Sequence, residues 1–189
     1  MIPPALTAAF RVWPWLIGVL LCAAAMMVGY EFGTETASLL GGEPGTWARL
    51  GKGCVWGGVI AGLQWPVARA AGVPPVPFVA ASAVSLAVGY PLGQTLQLII
   101  VQYWGLQWTG YWCAVVTFAL SLGVPQWWIL RRYLKHASLW ILFSVTGWML
   151  TGVVWLNGGR GGFEYGLVTG LGLVWLVRFH RSDLATNGS

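Results

Sequence analysis

Three times in this chain an apolar run rich in small residues ends in tryptophan and then arginine. The clearest copy is residues 126–132, Gln-Trp-Trp-Ile-Leu-Arg-Arg, and a second is residues 64–69, Gln-Trp-Pro-Val-Ala-Arg. A fainter third closes at Trp175 and Arg178. An apolar body, an aromatic ring and then a cation is the order of side chains on a helix that leaves the hydrocarbon for water. The run before the second copy, residues 50–69, would rise about 30 Å as a helix, enough to cross a bilayer. The repeated ending therefore constrains the chain to a bundle of membrane-crossing helices.

Composition excludes the soluble classes. Of 189 residues, 57% are hydrophobic and 8% charged, where a soluble domain carries about a quarter charged residues. Most of the fourteen tryptophans fall near the ends of apolar runs, where indole prefers to sit. The net charge of +5 would suggest nucleic acid in a soluble protein; here it points to anionic lipid, with no nucleic-acid partner. Cys22, Cys54 and Cys113 lie in apolar runs without a C-x-x-C pair, and read as small buried side chains.

Six apolar segments follow one another, at about 12–30, 50–69, from 76 onward, 111–130, 138–156 and 163–179, and a short polar tail, 180–189, is expected to be disordered. The first is read as a retained helix and not a cleaved signal, because it continues past the small residues Ala23, Ala24 and Ala25. Residues 94–112 read as an interfacial helix or aromatic girdle, with a pigment- or sugar-stacking surface as the sharper alternative. Glycines four apart clear one helix face for a neighbour: Gly53 with Gly57, Gly58 with Gly62, and Gly166 with Gly170. The whole is expected to be one polytopic domain: a first helix and outer loop over 1–49, a hairpin region over 50–179, then the tail.

With six crossings, Arg11, Arg69, Arg131, Arg132, Lys135, Arg178 and Arg181 fall on one side against Asp183, and Arg49, Lys52 and Arg160 on the other against four glutamates. Orientation follows Lys/Arg bias, so both termini are expected in the cytoplasm. Arg131, Arg132, Lys135 and His136 form the densest positive cluster and read as a lipid or partner contact, on one face if the helix continues.

The intervals Gln64 to Gln126 and Arg69 to Arg131 are equal, which predicts that segments 2–3 and 4–5 are related parallel hairpins and segment 6 an incomplete third. The repeated G-x-x-x-G-x-Q-W…R unit, followed by a turn and a helix with Gly147-Trp148 or Gly89-Tyr90, resembles a group of multi-pass membrane proteins common in cyanobacteria. The resemblance covers about residues 53–178. It implies a plasma-membrane or thylakoid location and carries no catalytic residue to this chain.

Chemistry is thin. His136 and His180 have no second ligand at metal spacing, no glycine-rich phosphate loop ends in Lys-Ser/Thr, and the serines of the apolar runs have no nearby base. Glu31 and Glu164, at the hydrocarbon boundary, read as interfacial side chains, with a proton or cation site as the alternative. The expectation is an all-α integral membrane bundle of about six helices, non-enzymatic and without a cofactor. It would serve as an accessory or structural subunit in lipid, in a membrane complex or as a homo-oligomer. A small-solute transporter or channel is the alternative, and a pigment-binding protein a further one.

Overall fold

Gly72 and Gly105 decide where two of the helices stop. Both have positive φ, +82° and +66°, a conformation that ends an α-helix and that glycine adopts without strain. After Gly72, Pro74 and Pro75 cannot continue the old helix, but Pro75 suits the first turn of the next. The computed structural model describes the backbone of residues 4–41, 45–157 and 162–187, and side chains over 14–41, 45–157 and 162–180. In order these form α1 (Pro4–Leu39), α2 (Thr46–Arg69), α3 (Pro75–Trp104), α4 (Gln107–Leu130), α5 (Leu139–Leu156) and α6 (Phe163–Asn187). The fold is all-α, as the apolar runs predict.

Three boundaries differ from expectation. Residues 94–112 make no separate interfacial helix: α3 continues to Trp104, the chain turns at Gly105, and α4 begins at Gln107. Gly110 then packs against the backbone of Gln97, 3.0 Å from a methyl group built on it to the Gln97 carbonyl. α1 extends well past Tyr30, so Glu31 and Glu35 are exposed residues of the helix itself. α6 runs to Asn187, so most of the expected disordered tail is helical. The loop residues Glu43 and Arg160 and the terminal Ser189 lie outside the described residues.

Among the described residues four helices are long and apolar enough to cross a membrane: α1 over Pro14–Leu39, α3, α4 and α5. α2 and α6 have the length, 24 and 25 residues, but carry more glycine, polar and basic side chains. Both sit between helices of that length and apolarity. α1 packs on α2, α2 on α3, and so in order to α6, which packs back on α1 and closes a ring; α2 and α6 also approach each other across it.

Glycine contacts give the directions. On α2, Gly53 and Gly57 meet the carbonyls of Leu86 and Ser82 on α3. Gly162 just before α6, and Gly166 and Gly170 on it, meet Met26, Cys22 and Val19 on α1. In both pairs the numbers run oppositely, so the helices are antiparallel, and the start of α1 and the end of α6 lie at one end of the ring. The α4–α5 pair repeats the contact in another form: Ser144 Oγ donates to the Ala119 carbonyl at 3.1 Å. Gly57, Ala119 and Gly166 thus face Ser82, Ser144 and Cys22, and twelve residues after each small residue stands an arginine, Arg69, Arg131 or Arg178. The first helix supplies in space the partner that segment 6 lacks in sequence: the ring is three antiparallel pairs, the hairpins α2–α3 and α4–α5 and a third, α6–α1, formed by packing alone.

Only one of the two glycine pairs on α2 is a packing face. Gly53 and Gly57 leave no room for a side chain, whereas a methyl group on Gly58 would meet only Ala83 Cβ at 3.7 Å, and one on Gly62 nothing within 4 Å. Gly58 and Gly62 lie on the side of α2 turned away from close backbone contact, which spacing alone does not encode.

Candidate functional site: a polar belt across the ring

Two apolar clusters fill the ring. One, at the arginine end, includes Ala61, Val67, Phe78, Leu130, Trp140, Leu173 and Val177. The other, towards the far end, is aromatic, with Trp56, Tyr90, Phe118, Trp148 and Tyr165. Between them lie Gln64, Ser82, Gln126 and Thr169, all fully buried. A buried amide without partners costs several kcal/mol in such surroundings, and these satisfy one another. Gln126 Nε2 donates to Gln64 Oε1 at 3.2 Å and to Ser82 Oγ at 3.0 Å. Gln64 Nε2 donates to Thr169 Oγ1 at 3.1 Å, and Trp140 Nε1 donates to Gln126 Oε1 at 3.1 Å. Ser82 and Thr169 pass their hydroxyl protons to the Phe78 and Tyr165 carbonyls, at 2.8 Å each. One network thereby ties α2, α3, α4, α5 and α6 together.

The aromatic cluster above the belt is centred on Trp56. Its Nε1 donates to the Met26 carbonyl at 3.1 Å, and its ring meets Tyr30, Tyr90 and Trp148 edge-on at 5.4, 5.8 and 5.4 Å. One helical turn before it, Lys52 is 5% exposed, with Nζ 4.6 Å from the Tyr30 ring and 5.3 Å from that of Tyr90. Such cation–π contacts offset part of the penalty of burying an ammonium group. Sequence reading placed Lys52 only in a charge tally.

At the opposite end two of the arginines lie by a ring of their own repeat. Arg69 Cζ is 5.4 Å from Trp65, and Arg131 Cζ is 3.4 Å from Trp128 and 5.4 Å from Trp127. Arg131, Arg132 and Lys135 are exposed, as a surface contact requires. They do not share a helical face, because α4 ends at Leu130 and the chain turns through residues 131–138. His136 takes φ 56°, and its ring meets Phe179 of α6 at 5.4 Å.

The remaining candidates separate. Glu164 Oε2 accepts from Gly162 N at 2.9 Å; it caps the first turn of α6, where a carboxylate also favours the helix dipole. Cys22 is buried as expected but Cys54 is exposed. Among the described residues no three histidine, cysteine or acidic side chains gather in a metal-binding group. Trp104 and Trp108, read as a girdle, are each 66% exposed at the α3–α4 turn. Comparison with protein-family models, with curated proteins and with solved structures gives no match for this chain.

Proposed function

We propose that this chain is a non-enzymatic integral membrane protein, a helical scaffold that packs in the bilayer with anionic lipid and against other membrane helices or further copies of itself. The observation that carries the reading is the belt: the buried side chains of Gln64, Ser82, Gln126, Trp140 and Thr169 bond to one another across five helices and hold them in register. In this reading all six helices cross, both termini are cytoplasmic, and Arg131, Arg132 and Lys135 meet anionic headgroups. The sequence resemblance would place it in a cyanobacterial plasma membrane or thylakoid.

The test is native purification in mild detergent with mass analysis, an absorption spectrum, and flux measurements after reconstitution. Co-purifying membrane proteins or anionic lipid, a spectrum of aromatic side chains alone, and vesicles as tight as protein-free ones are expected. Solute flux abolished by Gln126→Leu would replace the scaffold with a transporter, and visible absorption with a pigment carrier.

A further inference from the structure

We infer that the outward face of α6 seats one phospholipid with an anionic headgroup, its phosphate on Arg178 and an acyl chain along the helix below; this rests on the lipid-packing role proposed above. A groove of about 660 Å³ is lined by Leu171, Val174, Trp175, Arg178 and Phe179. These residues recur at three- and four-residue steps, so they form one stripe on one face. From Leu171 to Phe179 it runs about 12 Å. Leu171, Trp175 and Phe179 are 55, 47 and 38% exposed, while Gly172, Leu173, Leu176 and Val177 between them are buried.

Rings on neighbouring segments brace this face. Phe143 of α5 packs so tightly on Gly172 that a methyl group there would strike its ring, and it meets Trp175 edge-on at 6.5 Å. Trp175 and Phe179 stack at 5.4 Å with 22° between their planes, and His136 closes the far side of Phe179. The slot is therefore apolar along its length and cationic at one end. That end is the arginine end of the ring, where Arg69 and Arg131 hold the equivalent positions.

Arg178 differs from those two in its surroundings. Arg131 lies over the Trp128 face at 3.4 Å, while Arg178 borders the groove itself. A guanidinium at the head of an apolar slot matches a phosphodiester joined to acyl chains: the planar donors pair with phosphate oxygens, and the hydrocarbon covers the stripe. Free phosphate would leave the stripe uncovered, so the charge pattern selects a lipid.

The experiment uses the full chain in phosphatidylcholine vesicles carrying a trace of photoactivatable phosphatidylglycerol or, separately, the matching phosphatidylcholine probe. Adducts are mapped by peptide. Labelling at 171–179 should be at least several-fold stronger with phosphatidylglycerol, fall to the phosphatidylcholine level in Arg178→Gln, and recover in Arg178→Lys. Leu171→Trp, which fills the exposed slot, should lower labelling with both probes. Equal labelling by the two headgroups, or an unchanged Arg178→Gln, overturns the groove. Selective labelling at 131–135 with none at 171–179 also overturns it, yet leaves the broader lipid-packing role standing; flux in the same vesicles would overturn that role instead.

Discussion

Gln126 donates its side-chain amide to the amide oxygen of Gln64 at 3.2 Å, across an interval of 62 residues that is also the interval of the repeat. Equivalent residues of two hairpins thus meet each other inside the ring. In the third pair Leu173 stands at the corresponding place, and Thr169, one turn earlier on α6, accepts from Gln64 instead.

Gln126→Leu should therefore be costly. It removes the acceptor of Trp140 Nε1 and a donor to Gln64 and Ser82, leaving buried groups unpaired at about 1–3 kcal/mol each. A loss of about 3 kcal/mol in reversible unfolding in mixed micelles is expected. The Gln64→Leu, Gln126→Leu pair should lose clearly less than the sum of the single changes, because the second removal strands fewer partners. Strict additivity would mean the two amides do not interact in the folded protein.

Gly57→Leu and Gly62→Leu give a contrast within one helix. The first drives a side chain into the Ser82 carbonyl, and overpacking of this kind costs about 1–3 kcal/mol or more. The second adds a side chain where nothing lies within 4 Å, and its melting temperature in detergent should match the wild type. Similar melting of both variants would show that α2 is rotated from the arrangement described.

Single cysteines at three exposed positions test whether α2 crosses. Cys22, Cys54 and Cys113 would first become serine, the residue at the positions equivalent to Cys22. Thr46→Cys and Leu106→Cys should then be labelled from one side of sealed vesicles, and Ser138→Cys from the other. Only α2 and α3 separate Thr46 from Leu106. Opposite accessibility of those two would leave α2 outside the bilayer.

Division of the chain between residues 43 and 44 tests the third pair. The two pieces, co-expressed, should assemble into a complex that co-purifies, since α1 is held by α2 and α6 through close backbone contacts as independently inserted helices can be. Gly166→Leu in the larger piece should reduce recovery of the smaller piece markedly. Unaffected recovery would mean that α6 does not hold α1.

Much of the fold was legible in sequence because its signals are local. The tryptophan–arginine endings and the runs of about twenty apolar residues need no distant partner to be read. The belt was legible only as a recurrence. Gln64 and Gln126 stood at matching places, but helices apolar on every side have no marked polar face to show which way a given residue points. The same blindness made Gly58 and Gly62 look equal to Gly53 and Gly57. Ser82, Thr169 and Trp140 gave no signal of their own, since each is an ordinary residue of a membrane helix until its partner arrives from another repeat.

The pairing of α6 with α1 has a consequence for synthesis. During synthesis α1 finds one neighbour at once in α2, but its other binding face, around Cys22 and Ala23, must wait for Gly166. That glycine emerges only after α2 to α5. Until α6 is made the helices form an open arc with two unsatisfied edges, and those edges can join arcs from separate ribosomes or close one upon itself. α6 thus sets the moment at which these helices commit to a closed ring or to an exchanged oligomer.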